Sequence, residues 1–191
     1  MQGHSDIAGE NGQVAPPGEW PGFRDSRFML LLQHWAANRN GLMMPRAALD
    51  PAAIKTCLPH VWLFQYLAES DSFLCRLSGE QVNEAWGVNM AGKQPQEFMP
   101  PESAAMAHLI YRRILLTPAL HVGHRRIAPA GRQAKLAERL VVPLSDAEGR
   151  PYGIFGLSLY YFDPITQAEL PPHVGPEVTY YPCAGLPAGL P

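Results

Sequence analysis

The chain has 191 residues, of which 47% are apolar and 17% charged. That is the length of one domain with enough apolar content to fill a core, so whole-chain disorder is excluded. Fifteen Lys and Arg against 17 Asp and Glu leave a net charge of -2, which argues against a general nucleic-acid binder.

Residues 1–22 hold Gly3, Gly9, Gly12, Gly18 and Gly22 with Pro16, Pro17 and Pro21. They show little periodicity and predict a flexible N-terminal lead. A helix follows. Phe28, Leu31, Leu32 and Trp35 recur at i, i+3, i+4 and i+7, with Asp25 or Ser26 as N-cap and Asn40-Gly41 as stop. Asp50-Pro51 opens a short helical turn in the linker that comes next.

The pattern then changes to strands. VWLFQYL (61–67) is an apolar run of strand length, and Phe73, Cys75 and Leu77 alternate with Leu74, Arg76 and Ser78. The short polar link AESDS between them predicts an antiparallel hairpin. EQVNEAWG reads as a short helix ended by Gly87. Gly92, Pro95, Pro100 and Pro101 break the next stretch. A longer helix is predicted from about 103 to 116, with Met106, Leu109, Ile110 and Ile114 as its buried stripe.

Three strands finish the domain: HVGHRRIAP, AKLAERLVVPL and GIFGLSLYYF. In the second, Leu136, Leu140, Val142 and Leu144 share parity, with Glu138 the exception. Asp146 and Gly149 suit a tight turn before the last strand. That strand is apolar on both faces, so both faces are expected to be covered. Residues 164–191 carry seven of the 20 prolines. This tail is expected to be disordered or an extended strap on a surface.

No targeting signal is expected. MQGHSDIAGENGQ has no basic or apolar segment of a secretory leader, and no apolar run approaches the ~18 residues of a membrane span. Cys57, Cys75 and Cys183 make no disulfide framework. A cytoplasmic protein without a membrane or nucleic-acid partner is expected.

The order helix, two strands, helices, three strands resembles that of a PAS domain. Three stretches sharpen the match: LLLQHWAANRNGLMMPRAALDPAAIKTCLPHVWLFQY, FLCRLSGEQVNEAWGVNMAGK and LVVPLSDAEGRPYGIFG. Their most specific pieces are Pro45-Arg46 with Asp50-Pro51, Leu58-Pro59-His60, and Arg76-Leu77-x-Gly79. Together they are similar to stand-alone bacterial PAS domains of alphaproteobacterial type and uncharacterised function. The resemblance covers residues 23–163. It implies an α+β fold: a five-stranded antiparallel sheet with a helical cradle, preceded by an N-terminal amphipathic helix.

It also implies a non-enzymatic sensory or signalling module. A small apolar ligand or metabolite would occupy the cradle, lined by Leu77, Trp86, Met90, Met106, Ile110, Leu140 and Ile154, with Arg76 as anchor for a carboxylate or as a partner of Glu80 or Glu84. The alternative is that these side chains simply fill the core. PAS domains often pair through a helix before the domain, so Phe28, Leu32 and Trp35 are candidates for a homodimer contact; otherwise they cover their own sheet. No output module follows the PAS-like region, so a separate signalling protein is the expected partner.

Other chemistries assemble poorly. Cys57 and His60 (C-x2-H) with His121 and His124 (H-x2-H) offer zinc-type ligands, but His121 and His124 point to opposite faces of a strand. His108 sits off the apolar stripe, which disfavours haem. NEAWGVNMAG lacks the cysteine that flavin photochemistry in light-sensing relatives needs. No nucleophile elbow or phosphate-binding glycine loop occurs. A metal-dependent or small-molecule-metabolising enzyme using the cradle is the second reading. The cofactor is unknown. The basic run HRRIAPAGR, with Arg112 and Arg113 nearby, would serve an acidic partner or a nucleotide second messenger through Arg125 and Arg126, or form a solvated face.

Overall fold

The computed structural model describes residues 12–127, 135–161 and 178–189. Helix α1 spans Ser26–Asn38. Asp25 caps it, its carboxylate accepting from the Arg27 backbone N–H. Phe28, Leu31, Leu32 and Trp35 are each 0% exposed. Arg27 returns to Asp25 through Nε (2.9 Å) and Nη2 (2.7 Å), and its Nη1 donates to His60 Nε2 at 2.7 Å. This hydrogen bonding holds the Asp25 carboxyl below its ordinary range, while burial and the Arg27 charge hold His60 down. The cluster fastens the start of α1 to the chain just before Val61.

The sheet is built from β3 (Val61–Leu67), β4 (Ser72–Ser78), β5 (Ala119–Ile127), β6 (Lys135–Ser145) and β7 (Pro151–Tyr161), in the order β4-β3-β7-β6-β5. All four pairings are antiparallel. β7 is therefore interior, between β3 and β6, and both its faces are buried from Gly153 to Leu159. That matches the expectation for the apolar run, except that Phe162 lies outside the described residues. The β3–β4 hairpin turns at Asp71, in the left-handed region at φ 44°.

The sheet does not stop at five strands. β8 (Val178–Pro182) pairs antiparallel with β5, and β1 (Gln13–Val14) pairs parallel with β8. β2 (Met44–Pro45) pairs parallel with the end of β6. Parts of the expected lead and of the proline-rich tail thus extend the β5 edge. Prolines permit this because β8 carries its one proline, Pro182, at its last position, where a missing N–H interrupts nothing beyond it.

Two cores flank the sheet. One lies under α1 and holds Leu63, Leu120, Leu140, Val142, Phe155 and Leu157. The other lies under α2 (Glu80–Trp86) and α3 (Pro101–Leu116) and holds Trp62, Phe64, Phe73, Val141 and Ile154. Gly87 ends α2 at φ 71°, as expected. The buried face of α3 differs from the expected stripe: Ala104, Ala107, Tyr111, Ile114 and Leu115 face the sheet, while Leu109 is 43% exposed. The sheet supplies the bulk here in Trp62, Phe64 and Phe73, so small alanines on α3 let the helix settle close.

Candidate functional site

The cradle face of the central strands is set by parity. On β6 it carries Ala137, Arg139 and Val141; on β7, Ile154, Gly156, Ser158 and Tyr160; on β5, Ala119, His121 and Gly123. Trp62 on β3 stands in register with Gly156. A Cβ at Gly156 would overlap the Trp62 indole, so the glycine lets the ring lie across β7. Trp62 Nε1 then donates to Ser158 Oγ at 2.8 Å, and Ser158 is fully buried. This bond and the ring of Tyr111 at 5.6 Å fix the indole as a wall.

Beside that wall is a cavity of about 30 Å³ between α3 and the β5–β6 pair. Its lining is Trp62, Ala107, Ile110, Tyr111 and Val141 on the apolar side, His121, Gly123 and Arg139 on the strands, and Val178 from β8. His121 is 5% exposed and meets Tyr180 edge-on at 5.4 Å. Arg113 caps the same tyrosine ring at 3.8 Å, a cation–π contact. The Arg139 Nε is buried and receives no hydrogen-bond acceptor. A wider groove of about 160 Å³ runs between Ala15–Pro17 and Tyr181–Leu186; proline and apolar side chains dominate it, with Glu19 and Tyr181 as its polar members.

Residues 24–159 match the family model of the PAS domain. The chain belongs to the PAS domain family. Among solved structures it is similar to the PAS domain of Bordetella pertussis BvgS, at 15% identity over 61% of this chain and 87% of that one, with a TM-score of 0.48. It is similar to the Vibrio cholerae VqmA dimer at 15% identity, covering 60% of this chain and 53% of that one, TM-score 0.48. The Rhodobacter sphaeroides LOV protein follows at 11% identity, 62% and 72% coverage and a TM-score of 0.45. The chain spans about half the length of the VqmA chain it matches. No match is found among curated proteins.

The residues proposed from sequence for the PAS cradle are only partly brought together. Ile110 lines the cavity. Met90 and Ile154 are buried in the same core, and Met106 is half-buried on α3. Trp86 packs edge-on against Phe98 and donates Nε1 to the Tyr160 hydroxyl at 3.1 Å. Leu140 lies on the other face, under α1. Both faces of β6 are buried, so apolar parity alone could not say which one the cradle takes.

Arg76 and Leu77 point away from the cavity. Leu77 is 40% exposed, and the exposed Arg76 donates Nε to Gln65 Oε1 at 2.7 Å rather than pairing with Glu80 or Glu84. We expect Arg76→Ala to change the unfolding free energy by less than about 0.5 kcal/mol, measured by urea titration. A loss of several times that would show an anchoring role the exposed position does not explain.

Sequence reasoning missed Trp62, Arg139 and Ser158 as a group, and considered His121 only as a metal ligand. The available signal was Arg139 itself, a charge directly before the apolar run 140–144 and on the face opposite Glu138 and Leu140. Phe28, Leu32 and Trp35 are spent on the chain's own sheet, so a dimer contact through them would require α1 to leave it. Cys57 and His60 sit on the α1 side and His121 on the cradle side. Among the described residues no three His, Cys, Asp or Glu side chains gather as metal ligands would. His108 faces Asp71 at 3.6 Å and the ring of Phe73. In the basic run, residues 128–132 lie outside the described residues, as do the side chains of Arg125 and Arg126.

All three thiols are buried. Burial pushes Cys57 up, Cys75 up to about 11 and Cys183 up to about 12 from an ordinary 9.0. Folded thiols therefore keep protons that unfolded thiols release. Their contribution to stability is complete below about pH 9 and is lost as pH rises towards 11 and 12. We expect no reaction with a disulfide reagent at pH 8 in the native state and three thiols after denaturation. Rapid native labelling would place a thiol at the surface.

Proposed function

We propose that this PAS domain is a non-enzymatic sensory module in which a small ligand in the α3–β5–β6 cavity changes a contact with a separate signalling protein. The observation that carries this reading is the composition of the cavity wall. Val178 of β8 closes a space whose other walls belong to α3 and the central strands. An occupant therefore touches the helical cradle, the sheet and the added edge strand at once. A ligand shifts such a molecule between packings only by its difference in affinity for them. β8 is the element best placed to report the shift, because among the described residues only the two-residue β1 lies beyond it at the sheet edge.

No helix among the described residues is long and apolar enough to cross a membrane. A cytoplasmic location and a homodimer belong to the same reading. Native mass spectrometry of the intact chain tests the ligand: a non-covalent adduct of metabolite mass is expected. Hydrogen exchange before and after its removal should differ in α3 and β8. A chain that carries no adduct, and whose melting temperature ignores a panel of small acids, amides and alcohols, would remove the sensory reading.

A further inference from the structure

We infer that the cavity takes the head group of a compact monocarboxylate, held by the Arg139 guanidinium with its short apolar tail against Trp62, Ile110 and Val178. This rests on the sensory reading and names its ligand class. Arg139 is a permanent cation, and its Nε–H is buried without an acceptor. A buried N–H on a charged group that goes unbonded is costly, and native structures almost always supply it with a partner. Among the described residues the protein offers none. Among the described residues no Asp or Glu stands in the lining of the cavity and none forms an ion pair with Arg139.

The neighbours on the sheet leave the place open. Gly123 on β5 and Ser158 on β7 flank Arg139 in register. Gly123 adds no side chain to the cavity. Ser158 accepts from Trp62 Nε1 and stands outside the cavity lining, so it offers Arg139 no competing negative charge. The site thus presents donors and positive charge where an acceptor is missing, and a carboxylate can engage a guanidinium through two oxygens. Size narrows the class. A water needs roughly 10–15 Å³ of such space, and the cavity has about 30 Å³, close to the room for two oxygens. The remaining walls are apolar: Trp62, Ala107, Ile110, Val141 and Val178. Ile110 and Val178 are only half-buried, so a tail of a few carbons would press on the two residues that close the cavity. A polyanion such as phosphate would bring charge that a single arginine does not balance.

The test titrates the full chain with formate, acetate, propionate and butyrate at constant ionic strength, with propionamide as the neutral counterpart. Intrinsic tryptophan fluorescence and melting temperature are the readouts. Saturable binding of a short carboxylate and none of the amide is expected. Arg139→Gln should weaken binding about tenfold or more, whereas Arg76→Gln, an exposed arginine outside the cavity, should not. Ile110→Ala should move the preference to a longer acid. Arg139→Lys, which keeps the charge but not the fork, serves if the glutamine variant does not fold and should also bind more weakly.

Equal binding of acid and amide, or full binding by Arg139→Gln or Arg139→Lys, would overturn the assignment. If propionamide binds and the acids do not, the cavity remains a ligand site and the anion class is wrong. If no compound binds and Ile110→Ala opens nothing, the sensory reading falls with it.

Discussion

Trp35→Ala is expected to cost about 3–5 kcal/mol of unfolding free energy, the largest loss from any single truncation in α1. Trp35 is wholly buried and lies among Met44, Leu140, Val142 and Phe155 in the core under the helix. Its Nε1 donates to the Pro143 carbonyl at 3.0 Å. Truncation removes both the apolar volume and the donor. It also removes the ring over which the Arg39 guanidinium sits at 5.7 Å. Arg39 in turn donates to the Pro187 carbonyl, so the C-terminal segment should loosen with the helix. Equilibrium urea unfolding gives the free energy, and hydrogen exchange at residues 183–189 gives the second effect. A loss under about 1 kcal/mol would mean that α1 does not seal this face, and would return Phe28, Leu32 and Trp35 to service as a contact between copies.

Gly79→Ala is expected to destabilise by about 3 kcal/mol, although Gly79 has an ordinary φ of -69°. The cause is contact and not backbone strain. A Cβ there would overlap the carbonyl oxygens of Leu58 and Pro59. These are backbone atoms and cannot swing aside as a side chain would. Gly79 N also donates to the Val61 carbonyl at 2.8 Å, so separating the segments to admit a methyl would break a second link. Gly22→Ala is the control: nothing lies within 4 Å of a Cβ at Gly22, and the change should be neutral or slightly stabilising by about 0.5 kcal/mol. Equal behaviour of the two variants in urea would show that the close approach does not exist.

Gly79 also explains why two separated motifs carried the family resemblance. Leu58-Pro59-His60 and Arg76-Leu77-x-Gly79 meet in space, and the glycine is what allows them to touch. Their specificity is structural. His60 answers Arg27 across the α1 junction, and Arg76 is held at the surface by Gln65. The motif left Arg76 open between a carboxylate anchor and a partner of Glu80 or Glu84; its side chain meets Gln65.

Period and punctuation sufficed for the local elements. Asp25 and the i, i+3, i+4, i+7 stripe placed α1; Gly87 ended α2; the polar link 68–72 closed the β3–β4 hairpin; Asp146 and Gly149 turned β6 into β7. Each of these depends on atoms within a few residues, so the signal is written locally. Which buried face of β6 meets the cradle was decided only by tertiary packing, because Leu140 and Val141 look equally apolar in a line of letters. Packing also chose which side of α3 lies down, since the bulk of Trp62, Phe64 and Phe73 arrives from other strands. The same holds for the β5 edge: β8 is short and proline-flanked, and its five residues become a strand only because β5 offers unpaired N–H and C=O groups to receive them.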